Sequence, residues 1–260
     1  MVEKFDYEEV DEMERNSIEK NFFWKERTEY EMDEEVKERL ESMGVEKIDL
    51  KDLNPRFQRE IADSLESMYE DFPEIQGYIS CIRSADLKEG TLACTGPRMT
   101  EDGYAGAEIM FNRDFFSKKT YGLKIVDMDT EVNWRGERWL AGLGSEGVID
   151  HEIAHVMQLK INAESAGLEI GEKDKDKYSR MQELYGRDAT IISLCYDSML
   201  EAGISPKDIG RELSTYGATG FGETFAEAIS EVKTRRNPRI YAQTIYDNYR
   251  KLTNIEEEVA

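Results

Sequence analysis

The stretch Val148-Ile149-Asp150-His151-Glu152-Ile153-Ala154-His155-Val156 decides how the rest of the chain is read. Ile149, Ile153 and Val156 recur at helical spacing, which predicts a helix with a buried back. His151 and His155 stand four residues apart, so they project from one face about one turn from each other. Both imidazoles can then reach a single tetrahedral metal ion. Glu152 falls beside the position such an ion leaves open, where a carboxylate can take a proton from a metal-acidified water and later pass it to a leaving amine. Hydrolysis is the chemistry this HExxH arrangement suits. Chance is a poor alternative, because His151 and His155 are the two histidines of a 260-residue chain. Random placement would put two residues four apart about once in 130 trials.

The scarcity of histidine also constrains the third ligand. With none downstream, an HExxHxxGxxH site is excluded and an acidic residue must complete the set. Candidates lie in Gly222-Glu-Thr-Phe-Ala-Glu-Ala-Ile-Ser-Glu231, where Glu223, Glu227 and Glu231 repeat every four residues on one helical face. Periodicity does not choose between them, and without the HExxH motif the same stripe would read as a solvated face.

His151-Glu-Ile-Ala-His155 followed by Ser214-Thr-Tyr216-Gly-Ala-Thr-Gly-Phe-Gly-Glu223-Thr-Phe-Ala-Glu227-Ala resembles the anthrax-lethal-factor-like zinc peptidases and the related zincin domains of phage and mobile-element proteins. The resemblance is specific in these two blocks, looser from about Asp49 to the C-terminus, and does not reach the first fifty residues. It implies Glu223 as third zinc ligand, Tyr216 as the phenol facing the oxyanion of the scissile carbonyl, and Glu227 in the outer shell. It also implies that Gly106–Asn112 is an edge strand along which an extended peptide would lie, with a covered strand of the sheet as the equal alternative. Two departures stand out: Ala154, where the family commonly has glycine, and Gly220-Phe-Gly222, where many members carry an asparagine-containing turn.

Around these blocks the patterning predicts an α+β, zincin-like metallopeptidase domain over 49–260: a small mixed sheet, the HExxH helix and a downstream glutamate helix. Asn54-Pro55 caps a helix whose face is Phe57, Ile61, Leu65, Met68 and Phe72, ending near Pro73. Ile75–Arg83 and Gly106–Asn112 read as strands. Gly171–Lys177 reads as an exposed loop, Asp188–Ala202 as a helix, and two more amphipathic helices follow Gly220 and Pro238. Residues 1–50 carry eighteen acids and eight bases. With the narrow stripe Met32, Val36, Leu40 and Met43, this predicts an acidic helical arm or small subdomain over 1–48, outside the catalytic domain, with a solvated helix packed on the surface as the ordinary alternative.

The formal net charge of −22 argues against direct binding to nucleic acid or anionic lipid. Cys81, Cys94 and Cys195 are odd in number and lack CxxC spacing, so no disulfide framework is expected. No apolar leader or membrane-spanning run is present in the sequence, which makes a cytoplasmic address the expectation, or a virion-associated one if the chain is phage-encoded. One zinc ion and a peptide or protein substrate are the expected partners, and the oligomeric state is left open. The leading expectation is a zinc endopeptidase. Its rivals are a catalytically quiet zincin-fold component acting in binding or assembly, and an acidic helical interaction protein in which the motif is incidental.

Overall fold

The computed structural model describes residues 29–117 and 136–259. It is a mixed α+β fold in which helices pack on a four-stranded mixed sheet. The strands are β1 (Lys47–Asp49), β2 (Ile79–Ala85), β3 (Ala93–Thr100) and β4 (Gly103–Asn112), in the order β1-β2-β4-β3. β1, β2 and β4 run parallel, and β3 pairs antiparallel with β4. Gly106–Asn112 is therefore an interior strand, which decides between the two alternatives for the covered one and corrects the edge position that the resemblance implied. Its alternate neighbours are β2 and β3, both of which take its backbone groups. The border strand on this side is β3, which the sequence pattern did not reveal because Gly96-Pro97 interrupts it. Proline lacks the N–H a central strand must donate, so a border position suits it.

The expected strand at Ile75–Arg83 begins late. Pro73–Ile75 forms a 3-10 turn and Gly77 takes φ 75°, a conformation that favours glycine and ends local regularity. Pairing starts at Ile79. At the β3–β4 turn, Gly103 has φ 122° and a β-carbon there would sit 2.5 Å from the Gly171 carbonyl oxygen. Glycine thus permits the 171–172 backbone to bond across to Tyr104, Tyr104 N–H donating to Glu172 O and Gly171 N–H to Tyr104 O.

Seven helices of two turns or more are described: α1 (Glu34–Ser42), α2 (Pro55–Asp71), α3 (Gly144–Ala166), α4 (Lys175–Leu184), α5 (Ala189–Glu201), α6 (Phe221–Thr234) and α7 (Ile240–Val259). α2 starts as expected, with Asn54 accepting from Arg56 N–H and Pro55 in the first turn. Asp174 caps α4, so the second half of the charged Gly171–Lys177 stretch is helical rather than loop. A side-chain oxygen one residue before three helix-tolerant residues is enough to start a helix there.

α1 packs on the body of the fold. Its stripe points inward: Val36 and Leu40 are fully buried, together with Val45 and Leu50, in the same apolar core that holds α2 and α3. Arg39 reaches Asp63 and Glu66 of α2 at 2.7 and 2.8 Å. The boundary drawn at residue 48 falls inside β1, and 29–48 packs as part of the fold. The remainder of the acidic arm, residues 1–28, lies outside the described residues.

The HExxH helix α3 is the central element. Every position from Gly147 to Leu159 is buried, because β3 and β4, α2, α4 and α6 surround it. It ends where Gly167, at φ 67°, turns its N–H back to Ala163 and Glu164. Among the described residues no helix is long and apolar enough to cross a membrane.

Candidate metal centre

α3 presents His151 and His155 with their Nε2 atoms 3.0 Å apart. α6 starts close by, and its first turn places Glu223 Oε2 at 3.2 Å from His151 Nε2 and 3.3 Å from His155 Nε2. A tetrahedral ion with ligand bonds of about 2.0–2.1 Å separates its ligand atoms by about 3.3–3.4 Å. The triangle of donor atoms therefore has nearly the size that a zinc ion requires. Glu223 Oε2 is itself buried, and no N–H is directed at it. An acceptor held between two imidazoles without an aligned donor suits a cation better than a hydrogen bond. Among the described residues, His151, His155 and Glu223 form the one cluster of this kind.

The three stacked glutamates, which periodicity could not separate, have three different surroundings. Glu223 faces the imidazole Nε2 atoms. Glu227, buried, sets Oε1 2.8 Å from His151 Nδ1 and accepts the Ala141 N–H on Oε2. Glu231, fully buried, is gripped by the Arg239 guanidinium, with contacts of 2.6 to 3.0 Å. Its charge is satisfied away from the histidines.

Electrostatics follow from this crowding. Burial works to strip the proton from His151, but the carboxylates of Glu223 and Glu227 outweigh it and hold the ring up to about 10. For Glu223, burial favours the neutral acid, and His151 and His155 more than reverse it, keeping the carboxyl well below its usual range.

Glu152 is also buried, and its carboxylate turns toward the sheet. The Thr95 hydroxyl on β3 lies 2.7 Å from Glu152 Oε2 and 3.0 Å from the Glu152 carbonyl. Tyr216 stands where the chain enters a 3-10 turn at Gly217–Thr219, its N–H bonded to Trp139 O. Its ring centroid is 5.6 Å from that of His151 and 6.3 Å from Trp139. Burial, then the charges of Glu223, Glu152 and Glu227, push its phenol up to about 12. It therefore keeps its proton at neutral pH and can donate it in a hydrogen bond.

Thr95, Gln158 and Tyr185 surround the site without having been singled out in the sequence. Tyr185 ends α4 with its ring 6.3 Å from His155, so each imidazole has a tyrosine beside it. No local motif marks these residues: their proximity is created by packing. A recess of about 270 Å³ opens beside His151 and Glu152, walled by Leu92, Trp139, Leu140 and Val148. Compared with protein-family models, curated proteins and solved structures, the chain matches none.

Proposed function

We propose that the protein is a zinc-dependent endopeptidase with a zincin-like domain, hydrolysing a peptide bond in an extended segment. The observation that carries this reading is the ion-sized triangle of His151 Nε2, His155 Nε2 and Glu223 Oε2 with a buried carboxylate, Glu152, next to it on α3. A zinc ion held there supplies a Lewis acid and brings the pKa of water toward neutrality.

The chain's own groups divide the remaining work. Glu152 accepts the proton of the attacking water. The Thr95 hydroxyl occupies its Oε2, leaving Oε1 as the free basic atom. Tyr216, protonated and beside His151, donates a hydrogen bond as negative charge develops on the scissile carbonyl. Glu227 sets its charge 2.8 Å behind the His151 ring at Nδ1, an electrostatic contact that favours the ring orientation in which Nε2 faces Glu223. The apolar walls of the recess receive a substrate side chain and exclude water from one flank.

The test is zinc analysis of protein purified without added metal, followed by a peptide-library cleavage assay with Glu152→Gln as control. Carboxylate and amide are nearly isosteric, so the variant should keep stoichiometric zinc while losing turnover. Wild type without zinc, or comparable cleavage by Glu152→Gln, would overturn the reading.

A further inference from the structure

Gln158 lies one turn beyond His155 on α3, 3% exposed, and spans the gap to α6. Its Nε2 donates to the Gly222 carbonyl at 2.7 Å, and its Oε1 lies 3.2 Å from His155 Nδ1. Resting on the metal reading above, we propose that Gln158 is a positioning residue for the metal centre, setting the tautomer of His155 and the approach of the Glu223 turn with one amide.

The chemistry of the two ends makes the assignment. A backbone carbonyl can only accept, so the amide NH₂ must face Gly222 and the amide oxygen must face the imidazole. That oxygen in turn requires a hydrogen on His155 Nδ1. The Nε2 lone pair of His155 is then left toward His151 Nε2 and Glu223 Oε2, the orientation a metal ligand needs. Gly222 immediately precedes Glu223, so the same side chain that orients one ligand also pins the turn carrying another. The glycine leaves the amide its room: a β-carbon at 222 would lie 3.3 Å from Gln158 Oε1, a tight contact to which the amide would have to yield by a few tenths of an ångström. Neither residue would be linked to the other by spacing, since 64 positions separate them.

Zinc affinity, measured by competition with a chromophoric chelator, and ¹⁵N NMR of the imidazoles together test this. The chain's two histidines keep the NMR spectrum to two rings. In zinc-free wild type, the His155 ring is expected in the Nδ1–H form. Gln158→Met removes both polar ends at similar length. It should weaken zinc binding by about 10- to 100-fold and let His155 populate the Nε2–H form. Gln158→Glu keeps an acceptor for His155 while losing the donor to Gly222, so it should preserve the Nδ1–H form and still bind zinc more weakly than wild type. Unchanged affinity and tautomer in Gln158→Met, or equal tautomer loss in both variants, would overturn the inference alone. Wild type that takes up no stoichiometric zinc would overturn the metal reading and this inference with it.

Discussion

Replacing Glu223 or Glu227 by alanine removes the same atoms from the same helix face, yet the two changes should differ widely. Glu223 Oε2 completes the donor triangle, whereas Glu227 acts through the far side of the His151 ring. Zinc affinity is expected to fall by about 10- to 100-fold in Glu227→Ala, and much further in Glu223→Ala. Chelator competition measures both, and the reverse order would transfer the ligand role to Glu227. Tyr216→Phe keeps the ring against His151 and Trp139 but deletes its donor. With a cleavable peptide in hand, kcat should drop by about 10²- to 10³-fold, with zinc content and KM little changed. Cleavage at the wild-type rate would reduce Tyr216 to a packing role. At this scale the sequence was most legible where chemistry is local: His151, Glu152 and His155 share one helix, so their spacing announces them. Glu223 needed a resemblance to single it out, and Thr95, Gln158 and Tyr185 had no signal at all, because a hydroxyl, an amide and a phenol acquire a role only from what the fold brings beside them.

Among the elements, α1 shows what periodicity can and cannot tell. The spacing of Met32, Val36, Leu40 and Met43 marks an apolar stripe, but not whether the stripe meets this chain's core or a partner. Charge density alone points to an arm or subdomain with a solvated face. The structure buries Val36 and Leu40 completely while Glu34, Glu35, Glu38 and Glu41 of α1 are exposed, Glu34 beside Lys37. Leu40→Ala should therefore destabilise the protein by about 2–5 kcal/mol, the range for leucine truncation in a packed core. Denaturant unfolding checks this, and a loss below about 0.5 kcal/mol, the size of a surface change, would restore the arm. Truncation to residue 48 is expected to fail for the same reason, since it removes α1 and most of β1. The long helices α2, α5 and α6 were legible from caps and 3.6-residue periodicity. β3 and the three-residue β1 were not: one carries Gly-Pro, and the other is too short for alternation to register.

For the molecule as a whole, a ligand that binds only the folded chain adds its binding free energy to stability. Free zinc at 100 times its dissociation constant should stabilise the protein by about 2.7 kcal/mol, raising Tm with zinc concentration and lowering it on chelation. A Tm indifferent to zinc would argue against a site formed by residues 72 positions apart, as His151 and Glu223 are. The burial of α3 from Gly147 to Leu159 on all sides gives this linkage a clock. Amide hydrogens in the middle of such a helix have no nearby surface through which to fray, so they exchange with solvent only when the whole fold opens. Deuterium uptake across that stretch should be the slowest in the chain. Saturation with zinc should lengthen its lifetime by about a hundredfold, the kinetic image of the same 2.7 kcal/mol. The helix that offers the histidines would then also keep time for the entire protein.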